Sequence, residues 1–139
     1  MFQNTVTVFN RLGDVWYPTV LEGVKLLVDR AGIAARYGAQ ANDRAVLLAP
    51  LTDGSLGGKA YVTPKVWAEL EAPEQAVTFA AGEEFDFLLA GAWPDGVVPD
   101  SDYGPRGFYD FMNRTRDQVY AVTSVSRFET IPHLEVTGR

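Results

Sequence analysis

The sequence contains no cysteine and a single histidine, His133. The lack of cysteine excludes disulfide bonds, thiolate nucleophiles and cysteine-based zinc sites. One histidine cannot form a metal-binding histidine cluster, and we interpret His133 as a structural or interfacial side chain. No apolar run approaches the roughly 18 residues that a membrane helix needs. The first residues also lack the basic start and apolar stretch of a secretory signal, so we expect neither a signal peptide nor a membrane span.

Positive charge is also scarce, because 12 Lys and Arg stand against 18 Asp and Glu, a net charge of −6. Nucleic acid attracts Lys- and Arg-rich surfaces, so we expect no attraction of the whole molecule to it. With 139 residues, 47% of them hydrophobic, the chain has the size and composition of a single globular domain with a proper core. We therefore treat 1–139 as one β-rich domain.

Short segments of β-branched and apolar residues dominate the chain. In Thr5 to Phe9, alternation places Val6 and Val8 on one face and the other three residues on the opposite face. Roughly eight short strands and one or two short helices favour an antiparallel β-barrel or sandwich, with an α+β fold as the alternative. The expected strands lie near 5–9, 15–17, 24–28, 44–49, 60–62, 76–79, 85–89, 119–125 and 131–136, and the expected helices at 64–70 and 106–116.

The stretch from Gly91 to Gly107 is rich in Gly, Pro and Asp yet carries aromatic and apolar side chains. A loop of this length is uncommon in a compact domain unless it is functional or disordered. It either folds onto its own domain or projects to become ordered against another chain. We predict a long projecting loop, with residues 31–42 as a further candidate contact segment. The candidate subunit contacts are Trp93, Val97, Val98, Tyr103 and Arg106.

Candidate chemistry is sparse. Glu83, Glu84 and Asp86 are the best material for a small carboxylate-dependent hydrolase, which would need two carboxylates fixed in one cleft. Residues 53–58 are rich in glycine, but they lack the Lys-Ser/Thr pair that opens a phosphate-binding helix. We predict no catalytic residues and no cofactor.

A calcium site is the remaining ligand hypothesis. Asp95, Asp100 and Asp102 offer the oxygen ligands that calcium prefers. They do not form the Asp-x-Asp-x-Asp-Gly series with a distal Glu, however. We therefore predict no metal site.

Four segments, in this order along the chain, resemble small morphogenesis proteins of tailed bacteriophages. They are TVTVFNRL…VWYPTVLEGVKLL (5–27), YVTPKVWAEL (61–70), GEEFDFLLAG (82–91) and VYAVTSVSRFETIPHLEVTG (119–138). The proteins in question are described as minor capsid, head–tail joining or head-closure proteins. The most specific piece is Ile131 to Val136.

The resemblance implies a non-enzymatic structural subunit of the virion neck, assembled as a ring between the portal or adaptor and the tail terminator or tube. It further implies assembly in the host cytoplasm and a place beside the DNA channel, where an acidic lining would let double-stranded DNA pass without sticking. A tail-completion or tail-terminator protein is the alternative position. The carboxylate-dependent hydrolase is the alternative of a different class.

Overall fold

A computed structural model of the chain describes residues 3–29 and 44–139. Within these ranges the chain forms ten β-strands and two short α-helices. The strands are β1 (Asn4–Leu12), β2 (Val15–Asp29), β3 (Arg44–Pro50), β4 (Ser55–Leu56), β5 (Lys59–Tyr61), β6 (Ala76–Val77), β7 (Phe87–Ala90), β8 (Val98–Pro99), β9 (Val119–Phe128) and β10 (His133–Gly138), and the helices are α1 (Pro64–Ala68) and α2 (Gly107–Thr115).

Six of these strands close into an antiparallel barrel. The order around it is β1-β7-β9-β10-β3-β2, and β2 pairs back onto β1. The two-residue β8 adds to the outer side of β2, and β4, β5 and β6 form a separate small sheet. The structure therefore confirms the predicted fold class, a mainly β antiparallel barrel with short helices.

The long strand β2 turns a corner of the barrel at Gly23. Asn4 of β1 pairs with Val24 and the next residue, Thr5, pairs with Glu22, so Gly23 has no partner on β1. Its φ of +68° is a backbone conformation that glycine adopts freely at a β-bulge. The first half of β2 pairs with β1 and the second half with β3. The sequence predicted two strands separated here, which is wrong because the bulge bends the strand without ending it.

Buried side chains form two clusters, one on each face of β1. Val6 and Val8 belong to the cluster inside the barrel, while Phe9 points outward into a second, aromatic-rich cluster beneath α2. This arrangement confirms the alternation predicted from the sequence. From α2, Phe108 and Met112 are fully buried in the outer cluster, so the helix covers this face of the barrel.

Candidate functional site

The segment from Gly91 to Gly107 lies against its own barrel. Val98 pairs with Trp16 through β8 and is buried. The rings of Trp93 and Tyr103 lie 5.4 and 4.8 Å from that of Phe108, centroid to centroid. Contacts of this kind between aromatic rings add to the free energy of burying them. The prediction of a projecting loop is therefore corrected, because its aromatic residues cover the outer cluster of their own domain.

Two of the five predicted contact residues remain accessible. Val97 is about half exposed, and Arg106 is exposed. Val98 is core, and Trp93 and Tyr103 are half-buried against it. The further candidate, residues 31–42, lies outside the described residues. Of the predicted contact residues, Val97 and Arg106 are thus left as surface for another chain.

Asp100 anchors the segment to the barrel and to α2. Its Oδ1 accepts hydrogen bonds from Trp16 Nε1 at 2.9 Å and from the backbone N–H of Phe108 at 2.9 Å. Arg11 lies 3.6 Å from the other carboxylate oxygen. Desolvation raises the pKa of Asp100, but the two hydrogen bonds and the Arg11 charge outweigh it and leave the pKa below its ordinary value. A Cβ on Gly107 would lie 2.7 Å from this carboxylate, so only glycine lets it approach.

The β9–β10 hairpin ends in an exposed apolar surface that the sequence analysis did not select. Ile131 is 76% exposed and Phe128 is 43% exposed. The ring of Phe128 stacks on His133 with centroids 4.8 Å apart. We call Phe128 and Ile131 the hairpin tip. The signal available in the sequence was a pair of large apolar residues only three positions apart at a turn, where polar residues are usual.

His133 contacts both residues of the hairpin tip and the neighbouring Glu135. Its Nδ1 lies 2.7 Å from the backbone oxygen of Ile131, and its Nε2 lies 3.2 Å from a carboxylate oxygen of Glu135. The hydrogen bond to Ile131 and then the one to Glu135 raise the pKa of His133. These contacts give His133 a structural role at the turn between β9 and β10.

A cleft of about 290 Å³ lies between the end of β1, helix α1 and the segment that leads into β7. Trp67 forms part of its wall, and the charged side chains of Arg11, Lys65 and Glu84 line it. Asp86 and Thr78 also line the cleft and are only 2% and 1% exposed. The cleft therefore combines exposed charges with two buried polar groups.

Asp86 is held by donors that carry no charge. Its carboxylate accepts hydrogen bonds from Asn10 Nδ2 at 2.8 Å and from the backbone N–H groups of Arg11 and Ala80 at 3.0 and 2.9 Å. Burial raises the pKa of Asp86 to about 7, although these three bonds act in the opposite direction. A carboxyl group with this pKa in a cleft is a candidate functional group.

Of the three carboxylates proposed for a hydrolase, Glu84 and Asp86 line this cleft and Glu83 does not. The aspartates proposed for calcium are divided, since Asp100 is occupied by its anchoring contacts while Asp95 and Asp102 are exposed. Across 3–29 and 44–139, no three His, Cys, Asp or Glu side chains are grouped as metal ligands.

Fold and site together define a small antiparallel β-barrel domain with a carboxylate-bearing cleft and an apolar hairpin tip. The chain belongs to the Family of unknown function (DUF6751), whose model matches residues 1–139. No curated protein and no solved structure matches it. Neither α1 nor α2 is long and apolar enough to cross a membrane, and the described residues contain no other α-helix.

Proposed function

We propose that this chain is a non-enzymatic structural subunit of the neck of a tailed bacteriophage, of head-closure type, which assembles as a ring between the portal or adaptor and the tail. Its place is the virion neck, after assembly in the host cytoplasm. Three of the four segments that resemble phage morphogenesis proteins supply barrel strands: β1 with β2, β7, and β9 with β10. The resemblance therefore concerns the framework of the domain.

The observation that carries the proposal is the hairpin tip. Large apolar side chains exposed together mark surfaces that another protein covers, and here they stand at the end of a hairpin whose base is stacked and hydrogen-bonded. A ring needs one such surface on each subunit to meet a different surface on the next copy. The tip supplies the first surface, and Val97 with Arg106 is the candidate for the second.

Charge supports a place beside the DNA channel. The chain carries a net charge of −6, and carboxylates facing passing DNA repel its phosphates instead of binding them. In the proposed ring the protein lets double-stranded DNA through without specific contacts.

The test is to express the chain alone and together with portal, adaptor and tail-terminator proteins from the same genome, and to image the products. We expect rings that bind the portal or adaptor side. Rings that bind only the tail tube would assign the chain to the alternative position, tail completion. A chain that stays monomeric with every partner, and is absent from purified virions, would contradict the proposal.

The hydrolase is a second candidate, favoured by one observation: Glu84 and Asp86 line the same cleft. A carboxyl group with a pKa of about 7 suits general acid–base chemistry. Turnover of a panel of aryl glycosides and esters that disappears in both Glu84→Gln and Asp86→Asn, and persists in Glu83→Gln, would establish it. If virions assemble normally with both variants, catalysis is not needed for the proposed function in the neck.

A further inference from the structure

We propose that the cleft between β1, α1 and the segment before β7 is a binding site for an alkylammonium or guanidinium group, held by Asp86 and Thr78. The group would come either from a small amine or from a Lys or Arg side chain of another polypeptide. Both sources present the same positive charge and N–H donors.

The first step is that Asp86 has no positively charged partner. No Lys, Arg or His side chain forms an ion pair with it within 3–29 and 44–139, and its three hydrogen-bond donors are an amide side chain and two backbone N–H groups. Buried carboxylates in proteins are normally paired or bind a cation. An unpaired carboxylate that lines an open cleft attracts a cation.

The guanidinium of Arg11, which also lines the cleft, is occupied elsewhere. Its Nε donates to the backbone oxygen of Gly13 at 3.0 Å, and its charge faces Asp100 and the ring of Trp16. Only the backbone N–H of Arg11 reaches Asp86. The Arg11 side chain therefore does not occupy Asp86. Because Asp86 Oδ1 accepts one hydrogen bond while Oδ2 accepts two, Oδ1 can accept a further donor.

Thr78 supplies the second, independent observation. Its side chain is 1% exposed and lines the cleft, yet its hydroxyl has no hydrogen-bond partner within the described residues. A buried hydroxyl without a partner is destabilising. Less than 1 Å² of Thr78 Oγ1 is accessible, so a ligand N–H reaches this oxygen when a side chain of the cleft wall moves aside, and the new hydrogen bond then removes that penalty.

The charges around the cleft set its preference. Arg11 and Lys65 repel a cation, while Glu84 and ionised Asp86 attract one, so the positive and negative groups of the lining are equal in number. The cleft is therefore suited to a group with a single positive charge at the end of an aliphatic chain, whose methylenes can lie against Trp67 and Leu12. The volume of about 290 Å³ accommodates a ligand of that size.

Ionisation of Asp86 gives the site a pH signature. With a pKa of about 7, the free carboxyl is mostly protonated at pH 6 and mostly ionised at pH 8, so affinity for a cation rises about tenfold between them. The other charged groups that line the cleft are Arg11, Lys65 and Glu84.

The experiment is NMR-monitored titration of the full chain with n-butylammonium and, as the uncharged match, n-butanol. We expect millimolar binding of the amine, about tenfold tighter at pH 8 than at pH 6, and no comparable binding of the alcohol. N-acetyl-lysine amide distinguishes the sources. If it binds about tenfold tighter than butylammonium the natural ligand is a protein side chain, and if it binds equally or more weakly the ligand is a free amine.

Variants locate the binding. Glu84→Gln should weaken the amine about two- to fivefold, whereas its neighbour Glu83→Gln, outside the cleft, should not. Thr78→Val should weaken it about fivefold or more in a protein that remains folded, and Asp86→Asn should abolish it if that variant folds. Equal binding of alcohol and amine, affinity independent of pH, or no shift in residues of the cleft up to about 50 mM amine would each overturn the proposal.

Discussion

Two buried threonines show how differently the same side chain is used in this domain. Thr7 donates to the backbone oxygen of Gly91 at 2.8 Å and accepts from the backbone N–H of Trp93 at 3.0 Å. Thr78 is buried to the same degree, but its hydroxyl has no hydrogen-bond partner in the described part of the chain. The pair therefore separates the effect of removing a bonded hydroxyl from that of removing an unbonded one.

We predict opposite results for Thr7→Val and Thr78→Val. The first leaves two backbone groups without their partner and should lower the free energy of unfolding by about 1–3 kcal/mol. The second removes an unsatisfied polar atom and should leave the free energy unchanged or raise it by up to about 1 kcal/mol. Urea unfolding of both variants measures this. A loss in Thr78→Val as large as that in Thr7→Val would show that its hydroxyl has a partner.

The carboxyl of Asp86 makes stability depend on pH in a specific window. Because its folded pKa is raised from 3.8 to about 7, the folded state binds the proton more tightly than the unfolded state. Protonated Asp86 therefore stabilises the folded state. This stabilisation is complete below pH 3.8 and is lost as pH rises to about 7, which lowers the free energy of unfolding by at most about 4 kcal/mol. Two other groups with shifted pKa values change the stability mostly outside this interval. Asp100, whose pKa is lowered, does so below pH 3.8, and His133, whose pKa is raised, does so above pH 6.5.

Urea unfolding at several pH values between about 4 and 7 tests this dependence. Asp86→Asn should flatten the profile in that interval, and carboxyl-carbon NMR should show Asp86 titrating near 7 in the native protein. A titration at the ordinary value of an aspartate would show that Asp86 is hydrated in solution and would remove the predicted slope.

At the scale of elements, Asp100 is the contact that joins the 91–107 segment, β2 and α2. Asp100→Ala deprives Trp16 and Phe108 of their acceptor and should lower the free energy of unfolding by about 2–3 kcal/mol. Asp100→Asn keeps Oδ1 and should lower it by less than about 1 kcal/mol. Urea unfolding followed by Trp fluorescence measures both. Asp102→Ala, an exposed carboxylate in the same short turn, should change stability by less than about 0.5 kcal/mol, and a similar loss there would refute the anchoring role.

The sequence predicted most barrel strands because their alternation is local. In β3, for example, Ala45, Leu47 and Ala49 face the core and their neighbours do not. It could not decide where Val98 and Tyr103 point, because an apolar residue that covers its own domain has the same composition signal as one that binds a partner. Distance along the chain is the other obstacle: Asp86 meets Asn10 and Arg11 across 76 and 75 positions. No local sequence pattern predicts a buried cluster whose members lie so far apart in the chain.

At the scale of the whole molecule, exposed hydrophobic side chains mark the surfaces open to other proteins. The described chain exposes a large hydrophobic side chain at five places, Leu27, Val66, Val97, Phe128 and Ile131. Single exposed apolar residues are ordinary, whereas neighbouring ones mark an interface. Phe128 ends β9 and Ile131 lies in the turn that follows it, so the hairpin tip is the strongest candidate for the contact that builds the ring.

Replacing four of these five residues by aspartate, one at a time, tests this assignment within one protein. Ile131→Asp should weaken self-assembly at least tenfold, as expected for a residue at the centre of an interface, while the monomer stays folded because the side chain is 76% exposed. Leu27→Asp and Val66→Asp, at 45% and 50% exposure, are the matched controls and should assemble normally. Val97→Asp tests whether Val97, the exposed apolar residue among the predicted contacts in 91–107, contributes to assembly. Sedimentation velocity with circular dichroism measures all four, and assembly that is insensitive to Ile131→Asp but abolished by Val66→Asp would move the interface from the hairpin tip to α1.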